Sequence, residues 1–141
     1  MTDMTGGCLC GEIRYSMNPS PILVISHCHC SDCRRASGAP FITWITTTPE
    51  GFSYTQGEPA IYRSSEKVRR TFCGQCGTTL GFAMDGHGDE LDIAAATLDD
   101  PALVAPDDHI RAGSMLPWFE FADGLPQLPG SHWEHGYPKR S

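Results

Sequence analysis

The sequence predicts a mainly β fold, all-β in class with one or two short helical turns, and three observations point to it. Short segments rich in β-branched and aromatic residues recur along the 141 residues, bounded by Gly, Pro, Ser and Asn. Helical character is confined to residues 32–37 and 99–103, each about a turn or two. Seven cysteines fall into three tight clusters, a pattern able to crosslink distant segments through metal.

In chain order, strands are predicted near residues 12–16, 22–27, 41–46, 52–55, 60–63, 68–72, 79–83 and 91–95, each a short run enriched in Val, Ile, Thr, Tyr or Phe. The run Phe41-Ile42-Thr43-Trp44-Ile45 is apolar at nearly every position, which predicts a strand buried on both faces. The helical turn at 32–37 begins inside a cysteine cluster. For the turn at 99–103, Asp99 or Asp100 is the expected cap and Pro101 suits its first positions. From 111 to 128 the texture changes to a proline-punctuated arm, RAGSMLPWFEFADGLPQL, whose Trp118, Phe119 and Phe121 are expected to close over the core. Residues 1–130 thus read as one domain. Residues 131–141, SHWEHGYPKRS, read as a polar tail expected to be mobile, with His132 and His135 solvated.

The hydrophobic fraction of 40% is ordinary for a globular domain, and no apolar run approaches a membrane span. No membrane association is expected. The amino terminus shows neither a charged-then-apolar leader nor a lipidation motif, so cytoplasm is the expected compartment, and reduced thiols suit it. The formal net charge is −7 at pH 7. With all thiols deprotonated on two divalent ions it becomes about −10. Such a surface repels phosphates, and nucleic acid is not an expected partner.

Cys8 and Cys10 lie in GGCLCGEIRY, Cys28, Cys30 and Cys33 in SHCHCSDCRRASGAPF, and Cys73 and Cys76 in RRTFCGQCGTTLGF. C-x-C and C-x2-C spacings let neighbouring thiolates point at one ion, and soft, tetrahedral zinc favours such donors. The first and last clusters sum to four thiolates, a closed structural site. The middle cluster supplies three, which leaves one coordination position open for chemistry. Glycines in Cys73-Gly74-Gln75-Cys76-Gly77 suit a knuckle whose backbone turns back to aim N–H groups at sulfur. Disulfides are a competing reading, opposed by the odd count, the lack of a leader and the tight spacing. A metal-free redox thiol group in the middle cluster is another, opposed by its density.

These motifs, together with the closing stretch PWFEFADGLPQL, resemble the glutathione-dependent formaldehyde-activating enzyme family, whose domain is shared with centromere protein V. The resemblance covers nearly the whole chain and implies a zinc-stapled fold of several coiled β-sheets. It implies two zinc ions per chain: a structural one on Cys8, Cys10, Cys73 and Cys76, and a catalytic one on Cys28, Cys30 and Cys33. The implied activity is that of a carbon–sulfur lyase or synthase resembling S-(hydroxymethyl)glutathione synthase. Its implied partners are glutathione or a similar small thiol, and formaldehyde or a similar small aldehyde.

Residues around the middle cluster are candidates for supporting roles. Arg34 and Arg35 follow Cys33 and are placed either to offset thiolate charge or to sit in a solvated turn. Arg69 and Arg70 precede the knuckle, and strand alternation sends only one of them to the site. His27 and His29 flank Cys28, to act as a fourth ligand or proton carrier or simply to hydrogen-bond backbone. Ser37 offers a nearby hydroxyl. Two other functions compete with the lyase. A non-catalytic zinc-binding interaction module would be favoured by a histidine cap on the second site. A methionine-sulfoxide-reductase-like redox protein needs a reactive cysteine beyond the metal ligands, and none is left over.

Overall fold

The computed structural model describes residues 2–139, so Arg140 and Ser141 of the predicted tail lie outside the described residues. In chain order its elements are β1 (Met4–Gly7), β2 (Arg14–Met17), β3 (Val24–Cys28), α1 (Ser31–Ser37), β4 (Ile42–Thr47), β5 (Phe52–Gln56), β6 (Ala60–Arg63), β7 (Val68–Phe72), β8 (Thr79–Met84), β9 (Leu91–Ala94), β10 (Asp108–Ile110) and α2 (His132–His135). The fold is mainly β, as predicted. All eight predicted strands are present, with ends displaced by no more than two residues. The turn expected at 99–103 is a single 3-10 turn, Pro101–Leu103, capped by Asp100 through the Ala102 N–H at 3.2 Å.

Strands β1, β2 and β5 form a small antiparallel sheet in the order β1-β2-β5. The other seven form a sheet in the order β10-β3-β4-β9-β8-β7-β6, antiparallel except for the β10–β3 pair. Side chains alternate across a strand, and the alternation here builds two apolar layers. Ile25, Ile45 and Ile93 on one face of the large sheet meet Ile13, Tyr15 and Met17 of the small sheet segment, all at most 2% exposed. Each such burial contributes roughly 1.5–3 kcal/mol. On the opposite face, Trp44 and Ala94 pack with Cys28 and Cys33. Strand β4 therefore carries apolar residues to both layers, which explains its uninterrupted apolar run.

β1 and β10 were not predicted. Met4–Gly7 and Asp108–Ile110 are too short and polar to show a strand period, and pairing with β2 and β3 defines them. The arm and tail also depart from expectation. Phe119 and Phe121 close over Phe41, not over the main core, and Trp118 remains 68% exposed. Ser131 and His132 are buried and open α2 instead of being solvated, whereas His135 is exposed as expected. Arg111 N–H and Ala112 N–H bond the carbonyls of Gly130 and Leu128, which brings the tail back onto the large sheet. Among the described residues, no helix is long and apolar enough to cross a membrane.

Candidate metal centre

The seven cysteines converge into two groups that could hold metal, Cys8, Cys10, Cys73 and Cys76 in one and Cys28, Cys30 and Cys33 in the other, with sulfurs within 4.8 Å of one another in each. All seven are free thiols. The first group joins the two sheets, since Cys8 and Cys10 lie between β1 and β2 and Cys73 and Cys76 between β7 and β8. Gly77 turns the knuckle at φ 81°, and its N–H returns to the Cys73 carbonyl at 2.8 Å. Backbone N–H groups aim at sulfur: Ile13 at Cys8 (3.2 Å) and Cys76 at Cys73 (3.4 Å). The sulfurs of Cys8 and Cys10 are 3.6 Å apart and those of Cys10 and Cys73 3.8 Å. A tetrahedron of 2.3 Å zinc–sulfur bonds has an edge of about 3.8 Å, whereas a disulfide requires about 2 Å. The donor set therefore fits a tetrahedral soft ion.

The second group is assembled by a strand end and a helix start. Cys28 closes β3, Cys33 lies in the first turn of α1, and Cys30 caps that helix by accepting the Cys33 N–H at 3.2 Å. Gly38, at φ 68°, ends α1 with its N–H on the Arg34 carbonyl. Cys28 and Cys33 sulfurs are 3.6 Å apart, again the edge of a zinc-sized tetrahedron. Shared hydrogen bonds from Cys28 and Cys33 hold the Cys30 thiol far below its ordinary range, while the same contacts push Cys28 up.

Of the flanking candidates, Arg70 reaches this cluster. It is 8% exposed, and both its Nη atoms lie 3.9 Å from Cys33 Sγ. Arg69, on the other face of β7, pairs with Asp85 at 3.4 Å, so strand alternation selected one of the two as expected. Arg34 donates to the Ser114 carbonyl at 2.6 Å and Arg35 is exposed. Ser37 Oγ donates to the Cys33 carbonyl at 2.8 Å inside its own helix. His27 and His29 do not join the cysteines. His27 Nδ1 lies 2.7 Å from Thr43 Oγ1, and His29 Nε2 lies 2.9 Å from His109 Nδ1. His109 Nε2 in turn meets Asp123 Oδ2 at 2.8 Å. This chain of ring nitrogens ties the arm to the loop between Cys28 and Cys30. His27, His109 and Asp123 also bring donor atoms within 4.8 Å of one another, but both ring nitrogens of His109 are already hydrogen-bonded.

A pocket opens over the three cysteines, lined also by Trp44, Phe82 and Met84 and by Ser131, His132 and Trp133. Two of its polar groups were not expected there: Asp92 was not singled out from the sequence, and His132 was expected in solvent. Asp92, on β9, accepts from Thr46 Oγ1 at 2.5 Å, and burial pushes its carboxyl up to about 7 against that hydrogen bond. His132 Nε2 lies 2.7 Å from Asp108 Oδ2, and Ser26 Oγ donates to Asp108 Oδ1 at 2.6 Å. Burial works to raise Asp108, but these two bonds outweigh it and hold the carboxyl below its ordinary value. An aspartate set in the apolar run LDIAAA was the one local signal for Asp92. His132 was expected in solvent, because its partner Asp108 is 24 positions away in the chain.

The glutathione-dependent formaldehyde-activating enzyme family model matches residues 3–114. An uncharacterized lyase of Schizosaccharomyces pombe is 37% identical over 84 residues, 59% of each chain. The chain thus spans about 59% of that relative's length. A crystal structure of a Rhodobacter sphaeroides protein shares the fold, with a TM-score of 0.57 at 18% identity, over 88% of this chain and 99% of that one.

Proposed function

The chain belongs to the glutathione-dependent formaldehyde-activating enzyme family, and from that premise we propose that it is a zinc-dependent carbon–sulfur lyase or synthase. In this reading it joins a small aldehyde, formaldehyde in the first instance, to the thiol of glutathione or a similar small thiol. The observation that carries the proposal is the three-cysteine cluster at the floor of a partly apolar pocket. Four thiolates on Cys8, Cys10, Cys73 and Cys76 would hold a closed structural zinc, and Cys28, Cys30 and Cys33 would hold the second. Bound there, zinc supplies an open, soft coordination position that keeps an incoming thiol as thiolate near neutral pH.

The chain's own residues complete the chemistry. Arg70 places a guanidinium against the sulfur cluster and offsets the negative charge that a further thiolate brings. Trp44 and Phe82 pack over the cluster as an apolar wall, which strengthens electrostatics inside by excluding water. Burial raises the Asp92 carboxyl to about 7, so its protonated form is present at neutral pH and can donate a hydrogen bond to oxygen that gains charge when sulfur adds to carbon. An interaction module would be favoured by an imidazole capping the three cysteines. His27 and His29 instead direct ring nitrogens to Thr43 and His109, which supports the enzyme. The redox rival lacks a spare thiol, since both metal groups together use all seven.

The first test is zinc per chain by elemental analysis on tag-free protein purified without chelator, followed by carbon-13 exchange spectroscopy with labelled formaldehyde and glutathione. Two zinc ions and an accelerated exchange are expected. One zinc, or two with no acceleration over buffer, would remove the reading.

A further inference from the structure

We propose that His132 is the proton-transfer residue of the three-cysteine pocket, positioned by Asp108 and Ser26. The proposal deepens the lyase reading and rests on it for the identity of the substrates. Ser26, Asp108 and His132 are 2%, 4% and 7% exposed, and they form one continuous hydrogen-bonded line. Ser26 and Asp108 are register partners in the β3–β10 pair. Both therefore project from the same face as Cys28, two residues beyond Ser26 on β3. His132 lines the pocket together with Cys28, Cys30 and Cys33, whereas Asp108 and Ser26 do not reach its surface and lie behind the ring.

That geometry sets the tautomer. A carboxylate facing Nε2 holds the proton on that nitrogen, which leaves Nδ1 with its lone pair free to accept. Tyr137 stacks on the ring at 5.3 Å between centroids and 18° between planes, which fixes its orientation. Asp108 is the ring's hydrogen-bond partner, and the other polar residues lining the pocket are Thr46, His87, Glu90, Asp92, Ser131 and Arg111, the last 3.8 Å from Glu134.

The adduct-forming reaction needs such a group, because a proton must leave sulfur and one must reach oxygen. The thiol S–H bond breaks and its proton passes to His132 Nδ1. The sulfur electron pair forms a bond to the carbonyl carbon, and the π pair moves onto oxygen. Nδ1 then returns the proton to that oxygen. The product R–S–CH2–OH contains every atom of thiol and formaldehyde, and the imidazole ends as it began. A residue placed this way lies beyond the stretch 3–114 matched by the family, so the tail completes a pocket whose floor the family motifs build.

The experiment uses the full zinc-loaded chain, comparing His132→Asn with His135→Asn, a control on the exposed side of the same short helix. Exchange of labelled formaldehyde with glutathione is measured, along with zinc content, near-ultraviolet circular dichroism and rescue by added imidazole. A loss of about 100- to 10,000-fold in His132→Asn alone is expected, with zinc and fold unchanged and partial restoration by imidazole. Activity within about threefold of the parent would overturn the proposal, since general acid–base catalysis contributes far more than that. Nitrogen-15 spectra of the histidine rings in the parent protein keep the test independent of activity and of the variant's folding. Expected are an Nε2-protonated ring and a change at Nδ1 when glutathione alone is added. If the parent shows no exchange, the substrate reading fails, and this ring signal decides the proposal: a response to thiol upholds it, and no response sinks it.

Discussion

Both Nη atoms of Arg70 lie 3.9 Å from Cys33 Sγ, and the guanidinium carbon sits 5.1 Å from the centre of the Phe82 ring. The planar fork thus covers the sulfur with its edge while its face rests on an aromatic, a geometry that an ammonium cannot reproduce. Arg70→Lys is expected to weaken metal binding at the three-cysteine group by about 10- to 100-fold, the usual effect of losing a group that supports metal ligands. Competition with a chromophoric chelator would resolve two classes of ion. Only the weaker class should move, and an equal shift in both would remove the assigned role.

The two cysteine groups should differ in what they hold together. Cys73 is 1% exposed and belongs to the core cluster where the two sheets meet. Cys30 is half-buried at a helix cap on the other face. Cys73→Ser is expected to unfold or strongly destabilise the domain, because structural metal binding is folding free energy. Cys30→Ser should remain folded and inactive. Thermal unfolding by circular dichroism separates the cases, and equal loss in both variants would show that the division into structural and catalytic groups is wrong.

Asp92 predicts an unusual pH dependence. Its folded carboxyl is raised to about 7 by burial, so the folded state holds the proton more tightly than the unfolded chain. The stabilisation this brings is complete below the unfolded value near 4 and is lost as pH rises through about 7. Asp92→Asn keeps an acceptor for Thr46 and removes the titration. At pH 8 it should be more stable than the parent by at most about 4 kcal/mol, at roughly 1.4 kcal/mol per pH unit. Below pH 4 the two should coincide. Urea unfolding across that range checks the difference, in which the shared pH dependence of metal binding cancels.

Asp123 holds the arm in place. Its Oδ2 meets His109 and its Oδ1 accepts the Leu125 N–H at 3.1 Å. Asp123→Ala removes both contacts and leaves a ring nitrogen of the fully buried His109 without this partner. Losing a hydrogen bond to a charged group costs about 1.5–3 kcal/mol, so the arm should open at least about tenfold more often. Limited proteolysis under native conditions should then cut faster between residues 115 and 126. An unchanged cleavage rate there would mean that Phe119 and Phe121 hold the arm by themselves.

The legible part of this protein was the part encoded locally. Strands β6 and β7 were predicted to the residue because AIYR and VRRTF carry β-forming side chains between clear turn signals. The ligand clusters were legible because C-x-C and C-x2-C spacing is a property of short peptides, whatever the rest of the chain does. The reading of Arg69 and Arg70 was half complete: alternation says that the two face opposite ways, but the position of the metal group says which one matters. The arm was recognised as a lid, yet its docking against Phe41 and the histidines depends on where β3 and β10 meet.

The sequence by itself determined the fold class, the eight longest-signalled strands and the two sets of cysteines, since each rests on periodicity or spacing within a few residues. Only the tertiary structure decided that Met4–Gly7 and Asp108–Ile110 are strands, because so short a strand exists by virtue of the partner that takes its hydrogen bonds. It alone decided that His29 meets His109, and that His132 meets Asp108 rather than solvent. Those contacts join residues far apart in the chain, and their stability comes from burial and from satisfying polar groups away from water. No local pattern records such a debt until the fold has closed around it.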